Sequence, residues 1–245
     1  MSGHSHWATI KHKKGAADAK KGKAFSKLAR VIQLAAKEGG GKPDMNTKLQ
    51  DAITEARVGN MPRENIERAI KRGTGEIAGV SYEQVNYEGY APGGVAIMAD
   101  TLTDNKNRTA SEMRKLFENA GGSLGGAGCV SYLFQRKGII TIPVAAASED
   151  QMMADVLDAG AENMETTGET YFITCAVPDF ENVKKALLKK YTFQSTELTL
   201  LAKDYVKVNE EAGRKILRFM DILDDNDDVQ KVYSNFELPE TLVGS

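Results

Sequence analysis

The apolar residues of this chain change their period near residue 80. Before it they recur at helical spacing: Phe25, Leu28, Ala29, Ile32 and Ala36 follow i, i+3, i+4, i+7 and i+11, on one helix face. From Tyr82 onward, short β-rich runs alternate with helical ones. With a typical domain at about 100–200 residues, a chain of 245 holds one to three. The pattern predicts an α+β protein of three domains: a helical domain over residues 1–75, a discontinuous α/β domain over 76–135 plus 206–245, and a ferredoxin-like domain over 136–205.

The first helix stops at Gly39-Gly40-Gly41-Lys42-Pro43. A second runs over 46–58 on Leu49, Ala52, Ile53 and Ala56, and a third over 62–72, with Pro62 in its first turn and Gly73 at a left-handed C-terminal position. Strands follow at 83–90 and 94–101 around Ala91-Pro92-Gly93. Thr109-Ala110-Ser111-Glu112 reads as a capping box opening a helix that Gly121-Gly122 ends, and a strand is expected over 130–134. Residues 137–205 read β-α-β-β-α-β, the split βαβ order. A final helix at 210–223 and strand at 229–238 are expected to return to the sheet begun at residue 83.

Charge divides along the same line. Residues 1–75 hold 16 Lys/Arg against 7 Asp/Glu, while residues 76–245 hold 16 against 27. Between residues 1 and 37 the only acid is Asp18, among Lys11, Lys13, Lys14, Lys20, Lys21, Lys23, Lys27, Arg30 and Lys37. Lysines ahead of a helix N-terminus meet the positive end of its macrodipole, so they do not serve the helix. A polyanion accounts for them, because neutralised phosphates release counterions. Trp7 and His12 beside these bases can stack on unpaired bases. The plainer reading packs Trp7 on the helical domain and leaves the lysines to solubilise it.

Other segments carry weaker signals. The second and third helices, joined by Gly59-Asn60-Met61, could form a helix-turn-helix with Arg63, Asn65, Arg68 and Lys71 on the recognition helix. Against this, Glu64 with Arg68 and Glu67 with Lys71 are favourable i,i+4 pairs that explain those charges structurally. In residues 103–109, Lys106 and Arg108 beside a helix start could hold a phosphate; equally, Asp104 and Asn105 could cap backbone groups. The run Asp224-Asp225-Asn226-Asp227-Asp228 resembles the start of a calcium loop but lacks the required Gly and Glu, and reads as a solvated connection.

Metal, cofactor and catalytic chemistry find no set of residues. A free amine at Ser2 with His4 could bind Cu(II) or Ni(II), but no further ligand accompanies them. Gly39-Gly40-Gly41-Lys42 is followed by Pro43 and preceded by no strand, which disfavours a phosphate loop. All three histidines lie within the first twelve residues, far in sequence from any Ser, Cys or Asp constellation. The longest largely apolar stretch, 139–147, is half of the roughly 20 residues of a spanning helix, no signal peptide is present, and Cys129 and Cys175 make no Cys-x-x-Cys pair. These features favour a cytoplasmic protein with no membrane partner.

The opening Gly3-His4-Ser5-His6-Trp7-Ala8-Thr9-Ile10-Lys11-His12-Lys13-Lys14, followed by Asp18-Ala19-Lys20-Lys21-Gly22-Lys23, closely resembles that of the YebC/PmpR family, whose mitochondrial relative is the translational activator of cytochrome oxidase subunit one. The likeness continues through Asn60-Met61-Pro62, Tyr87-Glu88-Gly89-Tyr90, residues 103–109 and residues 224–230, with His6 where the family usually has Lys. It implies a three-domain protein without a known catalytic activity. Family members are described as DNA-binding transcriptional regulators, and others resemble ribosome-associated factors that help translate proline runs. The expected partner is nucleic acid, promoter DNA or ribosomal RNA, with the ribosome itself as a possible assembly. Expected contacts are Trp7, Lys11, His12, Lys13, Lys14, Lys20, Lys21, Lys23, Lys27 and Arg30, with Lys106 and Arg108 behind them. The motif begins two residues after Met1, which leads us to expect no mitochondrial presequence and a bacterial protein. The alternative is an adaptor whose acidic domains bind a basic protein, the N-terminus being incidental.

Overall fold

The computed structural model describes residues 18–243. The chain is α+β and forms two compact units, one of Lys14–Cys129 with Arg214–Val232, the other containing Val130–Gly213 and Tyr233–Ser245.

In the first unit, three helices are packed by their apolar stripes: α1 (Asp18–Gly39), α2 (Thr47–Val58) and α3 (Arg63–Gly73). Ile32, Ala36, Leu49, Ala56, Met61, Ile66 and Ala69 form their shared core. Asn46 fixes the α1–α2 corner. Its side chain accepts the Leu49 N–H at 3.1 Å as the N-cap of α2, and its amide donates to Ala35 O at 2.8 Å and Gly40 O at 2.9 Å. Pro62 is the N-cap of α3 rather than a member of its first turn. Gly73 departs from expectation too: the left-handed residue is Gly75, at φ +80°. What Gly73 lacks is room, because a Cβ there would stand 2.3 Å from Gln33 O on α1.

A sheet follows in the same unit. β1 (Glu83–Ala91) and β2 (Val95–Thr103) form an antiparallel hairpin with Tyr87 opposite Ala99. Both turn glycines, Gly93 and Gly94, have positive φ, which a side chain would resist. α4 (Lys106–Asn119) starts three residues before the predicted capping box. Its cap is Asn105, whose side chain accepts the Arg108 N–H, and Thr109 lies buried within the helix. β3 (Ser123–Leu124) borders β1.

The second unit is built on β4 (Phe134–Pro143), α5 (Glu149–Asp158), β5 (Asn163–Thr167), β6 (Thr170–Ala176), α6 (Phe180–Leu188) and β7 (Ser195–Ala202). The sheet is antiparallel in the order β5-β6-β4-β7, the ferredoxin-like arrangement. Of the strand expected over 130–134, only Phe134 is extended, as the first residue of β4; Ser131–Leu133 before it form a short 3-10 turn. Ile140, Ile142, Met152, Val156, Ile173, Val183 and Leu187 fill its core. β8 (Val206–Lys207) later pairs in parallel with a terminal strand.

α7 (Glu210–Asp224) leads to β9 (Val229–Ser234), which lies beside β2 and completes the first sheet as β3-β1-β2-β9. Phe219 of α7 meets Phe117 of α4 edge to face, 5.0 Å between ring centres. β10 (Phe236–Glu237) and the short α8 (Glu240–Val243) end the described chain.

Candidate nucleic-acid interface

Trp7, Lys11, His12, Lys13 and Lys14 lie outside the described residues. Lys20 and Lys21 lie on the first turn of α1, followed by Lys23, Lys27, Arg30 and Lys37 along the same helix. Its apolar stripe faces α2 and α3, so Lys23, Lys27, Arg30 and Lys37 are left on the remaining faces.

Four of these bases have partners among the described residues. Lys23 Nζ donates to Asp225 O at 3.1 Å, and Lys27 Nζ to Asp224 O at 2.5 Å. Arg30 Nη1 donates to Asp227 O and to Asp228 Oδ1, each at 2.7 Å, and its guanidinium lies 5.1 Å from the centre of the Tyr82 ring. Farther along, Lys37 Nζ donates to Ser81 Oγ at 2.6 Å. The basic face of α1 is thus seated on the acidic loop between α7 and β9.

Asp228 organises that seat. It is 3 % exposed, which overturns the expectation of a solvated connection for this residue; Asp225 and Asp227 are the exposed ones. Oδ1 takes Arg30, while Oδ2 accepts from Arg108 Nη2 at 2.9 Å and Thr109 Oγ at 2.6 Å. With the Thr109 proton directed to the carboxylate, Thr103 must donate to Thr109 at 2.7 Å, and Thr103 in turn accepts the Asn105 N–H at 2.9 Å. Burial pushes the Asp228 carboxyl up, but the donors Thr109, Arg108 and Arg30 outweigh it and hold the group below the usual carboxylate range. Its partners raise Arg108 above its ordinary value, Asp228 first and then Asp104.

Of the two readings of residues 103–109, the structure shows the cap. Asn105 caps α4, and Arg108 reaches an anion, although that anion is Asp228 of the protein itself. Asp104 adds a second contact to Arg108 at 2.8 Å. Lys106 is exposed, and its carbonyl accepts from the Tyr87 hydroxyl at 3.2 Å.

On α3 the expected ion pairs are replaced. Glu67 pairs with Arg63 at 2.7 Å instead of Lys71, and Glu64 forms no ion pair with Arg68 among the described residues. The exposed side chains of Lys42, Arg57, Arg68, Lys71 and Arg72 make no hydrogen bond or ion pair among the described residues. Asn65, Arg68 and Arg72 border a cleft of about 310 Å³ against α1. Sequence reading missed the role of Asp228 because an Asp-rich run resembles solvent-facing loop; the opposite charge of α1 was the available clue.

Among the described residues no group of three His, Cys, Asp or Glu side chains is placed to hold a metal ion. No described helix is long and apolar enough to cross a membrane.

Two family models match the chain. Residues 5–76 match the one described as the TACO1/YebC protein N-terminal domain, and residues 82–236 the one described as the TACO1/YebC second and third domain. A protein of Dictyoglomus turgidum named probable transcriptional regulatory protein is 51 % identical over 100 % of this chain and 99 % of its own. A protein of the same name from Syntrophobacter fumaroxidans is 47 % identical, covering 99 % and 98 %. The crystal structure of a conserved hypothetical protein from Aquifex aeolicus superposes with a TM-score of 0.85 at 45 % identity, over 98 % of this chain and all of that one.

Proposed function

Because the chain belongs to the TACO1/YebC family, we propose that it is a non-enzymatic regulator of gene expression that binds nucleic acid through its N-terminal domain and acts in the cytoplasm. The carrying observation is the basic charge that remains after internal pairing is subtracted. The acidic loop answers Lys23, Lys27 and Arg30. Lys42, Arg57, Arg68, Lys71 and Arg72 have no partner among the described residues, and the sequence adds further bases at 11, 13, 14, 20 and 21.

In this reading Lys11, Lys13, Lys14, Lys20 and Lys21 meet phosphates, with Trp7 and His12 adding stacking or edge contacts. Lys23, Lys27 and Arg30 serve the interface by fixing the direction of α1, and Arg108 by holding Asp228; Lys106 is a secondary phosphate contact. The name carried by the relatives supports a regulatory role. A Lys-rich segment with one aromatic suits the irregular single strands and loops of RNA better than a regular groove.

In-cell crosslinking followed by sequencing tests the proposal. Reads concentrated on RNA are expected, ribosomal RNA foremost. Reads at promoters would move the target to DNA, and no enrichment of either would overturn the proposal.

A further inference from the structure

We infer that the cleft between α1 and α3 seats one unpaired nucleotide of the bound nucleic acid, an assignment that rests on the nucleic-acid reading above. Its apolar part is contributed by Phe25 and Met61, while Asn65, Arg68 and Arg72 stand along its α3 side. Arg68 and Arg72 are four residues apart, so their Cβ atoms share a helix face about 5–6 Å apart. Two like charges at that spacing work against the helix. The nearby acids do not relieve them, since Glu67 is taken by Arg63 and neither arginine has a partner among the described residues. The macrodipole favours Arg72 in the last turn, but Arg68 lies a full turn earlier.

Two uncommitted guanidinium forks beside an apolar floor match the two halves of a nucleotide. Arginine forks suit phosphate oxygens, often in bidentate fashion. An aromatic and a thioether side chain offer a surface for the flat base, and an asparagine amide can read a base edge. The volume, about 310 Å³, is at the low end of the roughly 300–1,000 Å³ of small-ligand sites; it admits a single nucleotide and no duplex.

Gly22 supplies an independent observation. A glycine inside a helix weakens it, and here a Cβ would meet nothing within 4 Å, so protein packing does not require one. Gly22 lines this cleft, where a missing side chain leaves room for a ligand. The larger cleft of the same unit, about 560 Å³, is bordered by charges of both signs, Lys27, Lys231, Glu55 and Asp100, and has no such preference for an anion.

The test is fluorescence anisotropy with the full chain and a short labelled oligouridylate, alongside a duplex of similar length. R68A/R72A should weaken single-strand binding about tenfold or more and reduce the salt slope by about 1.4, at about 0.7 per lost phosphate contact. Gly22→Leu, which adds helix propensity and fills the cleft mouth, should weaken single-strand binding several-fold while the salt slope and thermal midpoint hold. It carries the test if the double variant melts early. Duplex binding should be unchanged in both. Wild-type binding with both variants unaffected would overturn the cleft assignment alone, as would an equal loss on the duplex. A wild-type chain that binds no nucleic acid would overturn the functional reading and the cleft with it.

Discussion

Arg30 and Asp228 stand 198 positions apart in the chain and 2.7 Å apart at Nη1 and Oδ1. One is a base on a helix rich in bases and the other the last member of an acidic run, yet both are largely withdrawn from water, with side-chain exposures of 17 % and 5 %. A buried carboxylate is costly unless its oxygens are met by donors. Here Oδ1 has Arg30, and Oδ2 has Arg108 and Thr109, so the cost of burial is offset and the helical domain is tied to the β2–β9 edge.

Replacing Asp228 by Asn keeps the volume but removes the charge that both arginines face. Breaking a buried pair costs about 3–5 kcal/mol; Arg108 is 44 % exposed, so its share is screened. D228N should therefore lose about 3 kcal/mol in urea unfolding. A double-mutant cycle with Arg30→Met should show a coupling clearly above the ~0.5 kcal/mol seen between independent sites.

Thr109→Val keeps the shape of the side chain and deletes its hydroxyl. Asp228 Oδ2 loses its 2.6 Å donor and Thr103 loses its acceptor. The expected cost is about 2 kcal/mol, within the roughly 1.5–3 kcal/mol of a hydrogen bond to a charged group. Thr109→Ser, which keeps the hydroxyl, should restore most of it.

The acid limb of stability has a definite sign. Asp228 is held below its ordinary range, and Asp155 is pushed down to about 2 by hydrogen bonds from Lys190, then Tyr191 and Gln151. Lowered folded-state values mean that their contributions are fully present above the unfolded carboxylate pKa of about 3.9 and are lost as pH falls from there toward 2. Tyr191, raised to about 12 by its bond to Asp155, behaves oppositely. Its contribution is present below about pH 10 and lost as pH rises through the folded value. Tyr191→Phe should abolish the alkaline loss and move the Asp155 titration, followed by carboxyl NMR shifts, upward toward the ordinary range.

Gly73→Ala tests the helix packing. The added Cβ would meet Gln33 O at 2.3 Å and the Ala36 Cβ at 2.8 Å, so α3 must move off α1. Overpacking of this kind costs about 1–3 kcal/mol; a thermal midpoint unchanged from the wild type would contradict the close approach.

The long periodic elements were legible in sequence because burial imposes their period: the α1 stripe around Ile32, and the β-α-β-β-α-β run whose strands order as β5-β6-β4-β7. Local punctuation was less so. Thr109 resembles a helix cap by spacing, but Asn105 caps four residues earlier and frees Thr109 to serve Asp228. The bases were visible as a cluster, whereas their division, among the described residues, into tethers such as Lys23 and unpaired charges such as Arg68 was not. That division depends on a loop nearly two hundred residues away, and only tertiary structure brings Lys23, Lys27 and Arg30 onto it.

The salt dependence of nucleic-acid binding tests the central claim most directly. Affinity for a single-stranded oligonucleotide should be measured across ionic strength for the wild type and for a variant with Lys13, Lys14, Lys20 and Lys21 replaced by alanine. At about 0.7 per contact on single strands, the four substitutions should reduce the slope of log K against log salt by about 3 while the thermal midpoint holds. An unchanged affinity and slope would contradict binding through the N-terminal bases.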